Sequence, residues 1–365
     1  MARLGLCVPM MSSRLVVVAL VGALATGDAR HALPAGNLIV GYQSWSTCNM
    51  TQTRTAVEAG VNVVIWFATN LASNAAGQPA VTGGPDYDCV AAVAAALADA
   101  GLNTTHLISI GGWDAPHPNT TWDGGTWFKA WRAWNEALPF PFAGFDWDLE
   151  GNDAVASPWN AFTEECVDVV VDMSEAAKRA GYVVSMVPAQ SYLDESTSQF
   201  NLSLLNAYAN FHPNFTYHGL NAYARILSKA ERGTFDMVIV QLYESWSRAD
   251  YAILDVGTPP ATYLADWAAS MIAGWTVDFP EGPTEVRVSQ DQLVVGLSRG
   301  SADGKSAFFW PKDCGVAWSR ADPAARPRGY AFWNIPDEGA TVNGTNATLA
   351  FAPALNAFLQ VRATS

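Results

Sequence analysis

From Asn37 onward the chain alternates two textures. Short runs dense in β-branched and aromatic residues are separated by longer stretches in which apolar residues recur at three- and four-residue spacing. The short runs predict strands at NLIVGYQSW (from Asn37), VNVVIWFATN (Val61), THLISIGGW (Thr105), FAGFDWDLE (Phe142), YVVSMVPA (Tyr182), FDMVIVQLY (Phe235), QLVVGLS (Gln292) and GYAFWNI (Gly329). The clearest helical stretch follows the fourth run. It places Ser157 as N-cap, Pro158 at the first helical position, Lys178 and Arg179 in the last turn and Gly181 just beyond. Eight strand–helix alternations predict an α/β fold, a (β/α)8 TIM barrel forming a single domain without a clear insertion domain, with its chemistry at the C-terminal strand ends. The long connections from Gln190 to Thr234 and from Ser298 to Arg328 are expected to shape a groove there.

One strand breaks the apolar pattern. Asp146, Asp148 and Glu150 alternate with Phe145, Trp147 and Leu149, so the acids share one face and the apolar residues the other. A strand of a parallel barrel is covered on both sides, which sends the acidic face into the barrel. Carboxylates confined together cannot all stay ionised; repulsion and desolvation raise at least one pKa, as a general acid requires. A calcium loop would also begin D-x-D-x-E-G, but its twelfth position here is Ser157 and the preceding text is strand-like.

The chain's formal net charge is −14. Its opening residues carry Arg3 and Arg14 and then the apolar run LVVVALVGALA (Leu15 to Ala25), too short to span a bilayer and suited to a secretory signal. The expected division is therefore a signal peptide over residues 1–25 and a catalytic barrel over 26–365. Cleavage leaves 18 basic against 34 acidic residues, 18 minus 34 or −16, which disfavours nucleic acid and anionic membranes as partners. Cys48, Cys89, Cys166 and Cys314 remain, an even number compatible with two disulfides in an oxidising compartment, with the pairing open. Sequons at Asn49, Asn103, Asn119, Asn201, Asn214, Asn343 and Asn346 accord with a secreted, extracellular glycoprotein. Neither the cysteine spacings nor the five scattered histidines form a metal-ligand pattern, and no cofactor is expected.

GFDWDLE resembles the D-x-D-x-E signature of glycoside hydrolase family 18, the chitinase family. SIGG (Ser109 to Gly112) resembles its S-x-G-G, VQLYES its Q-x-Y-N in plant and fungal members, and AFWNI its tryptophan-bearing last strand. The resemblance implies that Glu150 protonates the glycosidic oxygen, that Asp148 orients the substrate's acetamido group, and that Asp146 shares a proton with Asp148. In this family the acetamido carbonyl is itself the nucleophile. It further implies that Tyr243 holds the acetamido oxygen, that Trp333 floors the sugar subsite, and that Gln241 adds a polar contact. Two positions depart from the family pattern. Ala143 stands where an Asp is usual, with a structural effect expected, and Glu244 replaces the usual Asn or Asp after the tyrosine.

The expected function is a secreted, monomeric, metal-independent endo-hydrolase cutting β-1,4 bonds in chitin or other N-acetylglucosamine-containing oligosaccharides with retention. An endo-β-N-acetylglucosaminidase acting on N-glycan cores and a chitin-binding lectin are the alternatives, although a lectin would commonly lack the acid. Trp45, Trp113 and Trp246 follow strand ends and are candidates for stacking on sugars, and Gly111 and Gly112 for close approach to a ring. Trp127, Phe128, Trp131 and Trp134 recur at helical spacing and predict an outer helix packed on the barrel. His106 is expected to be a structural hydrogen-bonding residue, whereas His117, among prolines, has no identifiable partner in the sequence.

Overall fold

The computed structural model describes residues 32–204, 220–243, 247–298, 309–341 and 350–361. The expected leader, residues 1–25, lies outside these residues, as do Glu244, Trp246 and the sequons at Asn214, Asn343 and Asn346.

Among the described residues the strands are β1 (Leu38–Gln43), β2 (Val63–Ser73), β3 (Pro79–Gly83), β4 (Thr105–Gly112), β5 (Gly144–Leu149), β6 (Val183–Met186), β7 (Met237–Gln241), β8 (Trp275–Phe279), β9 (Gly282–Val286), β10 (Leu293–Ser298) and β11 (Gly329–Trp333). Eight of them pair in parallel in the order β1-β11-β10-β7-β6-β5-β4-β2, and β1–β2 pairing closes the ring. These are the eight strands the sequence predicts. β3 folds back antiparallel on the far end of β2, and β8 and β9 form a separate hairpin.

The helices are α1 (Met50–Glu58), α2 (Tyr87–Asp99), α3 (Gly124–Glu136), α4 (Glu164–Arg179), α5 (Ala222–Lys229), α6 (Arg248–Asp250), α7 (Pro260–Ala273), α8 (Pro311–Arg320) and α9 (Phe351–Leu359). The strand period of two divides the apolar residues into two bodies. Leu38, Val40, Ile65, Leu107, Met237 and Val294 fill the barrel, while Ile39, Val64, Ile108, Phe145 and Trp147 meet the helices outside. Ala143 belongs to the interior group and its backbone pairs with His106 and Val183, so this departure occupies a packed position.

Three details refine the expectations. Ser157 and Pro158 open a single 3-10 turn, Pro158–Asn160, because Ala161 then extends to bridge Ser203; α4 starts only at Glu164, capped by the Thr163 hydroxyl. Its last turn does carry Lys178 and Arg179. Of the two disulfides that four cysteines allow, one forms, Cys48–Cys89. Cys166 on α4 and Cys314 on α8 are buried free thiols; α4 joins β5 to β6 and α8 joins β10 to β11, with β7 between the two pairs in the ring.

α3 lies on the outside as expected, with Trp127 and Trp131 fully buried and the Trp131 ring edge-on to Phe145 at 4.9 Å. His106 is buried in β4, where Nδ1 accepts a hydrogen bond from the Trp66 indole at 3.1 Å; burial lowers its pKa to about 4, so it stays neutral.

Candidate active site

Parity sets the site. On β5, Phe145, Trp147 and Leu149 pack outward and Asp146 and Asp148 point into the barrel, both buried; Glu150, one residue past the strand, is half-buried at its C-terminal mouth. The strand-bound aspartates also dispose of the calcium-loop reading, since nothing here is a helix–loop–helix.

The acids are linked. Gln241, at the end of β7, donates from Nε2 to Asp148 Oδ1 at 3.1 Å and to Glu150 Oε1 at 3.2 Å, and is anchored on the Val187 carbonyl at 2.8 Å. Below them, the Tyr42 hydroxyl donates to Asp146 Oδ2 at 2.9 Å. The other Asp146 oxygen is buried without a donor in good hydrogen-bond geometry.

Burial dominates the acids' electrostatics. It pushes Asp146 up to about 6, moderated by the nearby Ser185 and Tyr42 hydroxyls. Burial, then the charge of Glu150 and a hydrogen bond with it, then Asp146, hold Asp148 well above the carboxylate range. Glu150 is raised by burial and pulled partly back by Asp148 and Gln241. Asp148 and Glu150 therefore retain a proton between them and titrate as a unit. A proton held within reach of open solvent beside anionic neighbours is equipment for general acid catalysis.

The rim is aromatic. Phe67 lies edge-on to Trp333 at 4.9 Å and to Trp45 at 4.5 Å, and Trp333 approaches Tyr42 at 6.0 Å. Trp45 is 52% exposed, an open face of the kind that receives the apolar side of a pyranose. Tyr243 lines a small cleft with Tyr42, the Asp146 partner, and with Val187, Gly296 and Trp333. Trp113 sits half-buried across the mouth, its indole donating to Asp153 Oδ1 at 3.0 Å. The structure thus brings Asp146, Asp148, Glu150, Gln241, Tyr243 and Trp333 to one end of the barrel.

Gly111 and Gly112 are buried, and protein atoms already occupy the space beside them. Both have positive φ, 109° and 118°. A Cβ on Gly111 would collide with the Asp148 carbonyl oxygen, and one on Gly112 would lie 2.6 Å from the Phe67 ring and 2.8 Å from Trp45. Gly111 is the register partner of Asp148, so its missing side chain lets β4 press against the acidic strand. Gly111→Ala is expected to cost about 3 kcal/mol or more, combining strain and overpacking. Gly77→Ala, at φ 70° with open space around it, is the control and should cost only about 1–2 kcal/mol. Urea unfolding of both variants measures the difference; equal losses would refute the packing argument.

Sequence reasoning passes over several residues. Tyr42 shares the inward parity of Leu38 and Val40, a signal present in the first strand. Phe67 likewise shares that of Val63 and Ile65. His117 acquires a partner that no pattern announces, the Glu150 carbonyl, 2.9 Å from its Nε2. Another cleft lies around Arg232, Phe235, Asp236, Arg287 and Arg328 at the N-terminal strand ends, the end that serves stability in such barrels.

No family model and no curated protein matches the chain. Solved structures do. A family GH18 chitinase from Chromobacterium violaceum matches with a TM-score of 0.58 at 16% identity, over 89% of this chain and 83% of that one. The catalytic domain of a family GH18 chitinase from the fern Peteris ryukyuensis gives 0.56 at 14% identity, over 88% and 99%. A fungal endo-β-N-acetylglucosaminidase from glycosyl hydrolase family 18 gives 0.51 at 14% identity, over 90% and 97%. The chain has the (β/α)8 fold of glycoside hydrolase family 18.

Proposed function

We propose that this chain is a secreted, monomeric glycoside hydrolase that cuts β-1,4 linkages between N-acetylglucosamine units inside chitin-type chains, with retention and without metal or cofactor. The observation that carries the reading is the Asp148–Gln241–Glu150 bridge at the barrel mouth, with Asp146 and Tyr42 buried beneath it. Glu150 gives its proton to the glycosidic oxygen as the bond to the anomeric carbon breaks. The carbonyl oxygen of the substrate's own acetamido group closes on that carbon from the face opposite the leaving group, giving an oxazolinium ion that water then opens from the face the leaving group vacated, so the β configuration is restored. Asp148 accepts a hydrogen bond from the acetamido N–H as positive charge grows there, and the unpartnered oxygen of Asp146 gives Asp148 a second place to lodge its proton. Tyr243 donates to the acetamido oxygen, and Trp333, with Phe67 behind it, supports the sugar ring.

Secretion is supported by the leader-like residues 1–25 and by the Cys48–Cys89 bridge, a bond of oxidising compartments. Asn49, Asn103, Asn119 and Asn201 are all exposed, as glycan acceptors must be.

The test follows product anomers by NMR during hydrolysis of soluble N-acetylglucosamine oligomers and of their N-deacetylated counterparts. The expected result is the β-anomer first from the acetylated chain and no cleavage of the deacetylated one, which lacks the nucleophile. An α-anomer first, or cleavage of both substrates, would sink the mechanism. Cleavage confined to N-glycan cores on glycoprotein would move the reading to an endo-β-N-acetylglucosaminidase.

A further inference from the structure

The strand that carries the acids runs out one residue before Glu150. β6 ends at Met186, opposite Trp147, so on that side Leu149 has no strand to pair with. A side chain takes the strand's place. The Tyr223 hydroxyl, reaching in from α5, accepts from the Leu149 amide at 2.7 Å and donates to the Leu149 carbonyl at 3.0 Å. One hydroxyl can do both at once.

The next carbonyl is also held. His117, in the connection between β4 and α3, approaches the Glu150 carbonyl oxygen with Nε2 at 2.9 Å. A carbonyl only accepts, so this bond forms in the tautomer with the proton on Nε2, in which His117 is the donor; the ring's other backbone partner is Ala161.

The two donors are braced against each other. The His117 ring stacks on Phe162 at 4.7 Å and 17°, Phe162 stands edge-on to Tyr223 at 5.8 Å and 90°, and Tyr223 stacks on Tyr192 at 6.3 Å and 11°. All four rings are buried. They come from four different segments of the loop-bearing half of the barrel, and the polar atoms of two of them, His117 and Tyr223, converge on two consecutive residues of the backbone.

We propose that His117 and Tyr223, joined through Phe162, are positioning residues that fix the Leu149–Glu150 backbone and so aim the Glu150 carboxyl at the leaving-group oxygen. They act through Glu150 and do not touch substrate. The inference rests on the reading of Glu150 as the acid. Past the last paired residue of a strand, the acid's main chain would otherwise lack its ladder on one side, and proton transfer is sensitive to small displacements of the donor.

The test uses the full chain and three variants. Tyr223→Phe removes one hydroxyl and keeps the stack; His117→Leu removes the donor, and His117→Gln restores an N–H near the same place. Each is assayed on an N-acetylglucosamine oligomer, whose leaving group needs a proton, and on the 2,4-dinitrophenyl glycoside of the N-acetylglucosamine dimer, whose leaving group does not. For Tyr223→Phe and His117→Leu, kcat on the oligomer should fall about tenfold with KM within about twofold, while kcat on the activated glycoside changes less than about twofold. His117→Gln should recover most of the oligomer activity. Equal losses on both substrates would reveal general structural damage and overturn the proposal.

Hydrogen exchange at the Leu149 amide supplies an independent readout. Exchange should quicken about tenfold in Tyr223→Phe, and unchanged exchange would overturn the clamp. Should the wild type cleave neither substrate, the glycosidase reading fails, while the exchange result still decides whether the backbone is held as described. Should Tyr223→Phe not fold, the contrast between His117→Leu and His117→Gln decides.

Discussion

Glu150→Gln is expected to abolish hydrolysis of N-acetylglucosamine oligomers, lowering kcat by about a thousandfold or more, while oligomer binding is retained. Glutamine matches the volume of glutamate and its amide oxygen can still accept from Gln241, so the bridge to β7 survives. What disappears is the transferable proton. The leaving sugar is an alkoxide unless protonated, and among the described residues the two acids that share the strand, Asp148 and Asp146, lie deeper in the barrel and are buried. Stability should not fall, because the substitution removes a carboxyl whose ionisation burial already opposes. Oligomer cleavage, calorimetric binding and thermal unfolding of wild type and variant, run side by side, check all three statements. Residual cleavage above a tenth of wild type would remove Glu150 from its role. Binding without cleavage in both proteins would turn the reading to a lectin.

The barrel strands other than β5 are legible in the sequence because they are largely apolar on both faces, as a strand covered on two sides must be, and the turns between them are marked; β5 is legible from its apolar outer face. The inward direction of Asp146 and Asp148 is legible for the same reason: Phe145 and Trp147 need the helix layer, and the period of two leaves the acids no other face. The start of α4 is misplaced because Ser157 and Pro158 are good initiating residues in either an α-helix or a 3-10 turn, and only the bridge from Ala161 to Ser203, 42 positions apart, selects the turn. The cysteine pairing depends on which segments the barrel sets side by side, here the β1–α1 connection with Cys48 and α2 with Cys89, which no spacing encodes. Gly111 and Gly112 are singled out by motif for close approach to a sugar ring, whereas the neighbours the structure gives them are protein, the Asp148 backbone and the Phe67 and Trp45 rings. His117 and Tyr223 are invisible to periodicity, since a hydrogen bond to a main-chain atom imposes no pattern on the sequence that receives it.

Asp148→Asn should be the second most damaging change, lowering kcat about a hundredfold and moving the alkaline limb of the pH–rate profile to lower pH. The sign follows from the pair. In the wild type, two buried carboxyls side by side cannot both ionise, so burial and the charge of Glu150 keep Asp148 protonated well above its ordinary range, and Glu150 is itself raised. The unit therefore holds its last proton, and with it the acid form, to higher pH than a lone glutamic acid would. Asparagine ends that competition. It carries no charge to oppose the ionisation of Glu150, and its amide offers a permanent donor that favours the carboxylate. Glu150 then loses its proton at lower pH, and the two coupled ionisations become one. The fall in kcat has a separate origin: an asparagine cannot become negative, so it gives the developing oxazolinium no charge to lie against. Profiles of kcat/KM against pH for the two proteins on one oligomer test both parts. A variant whose alkaline limb stays in place would show that Asp148 does not govern the proton on Glu150, and a variant with unchanged kcat would show that it does not meet the acetamido group.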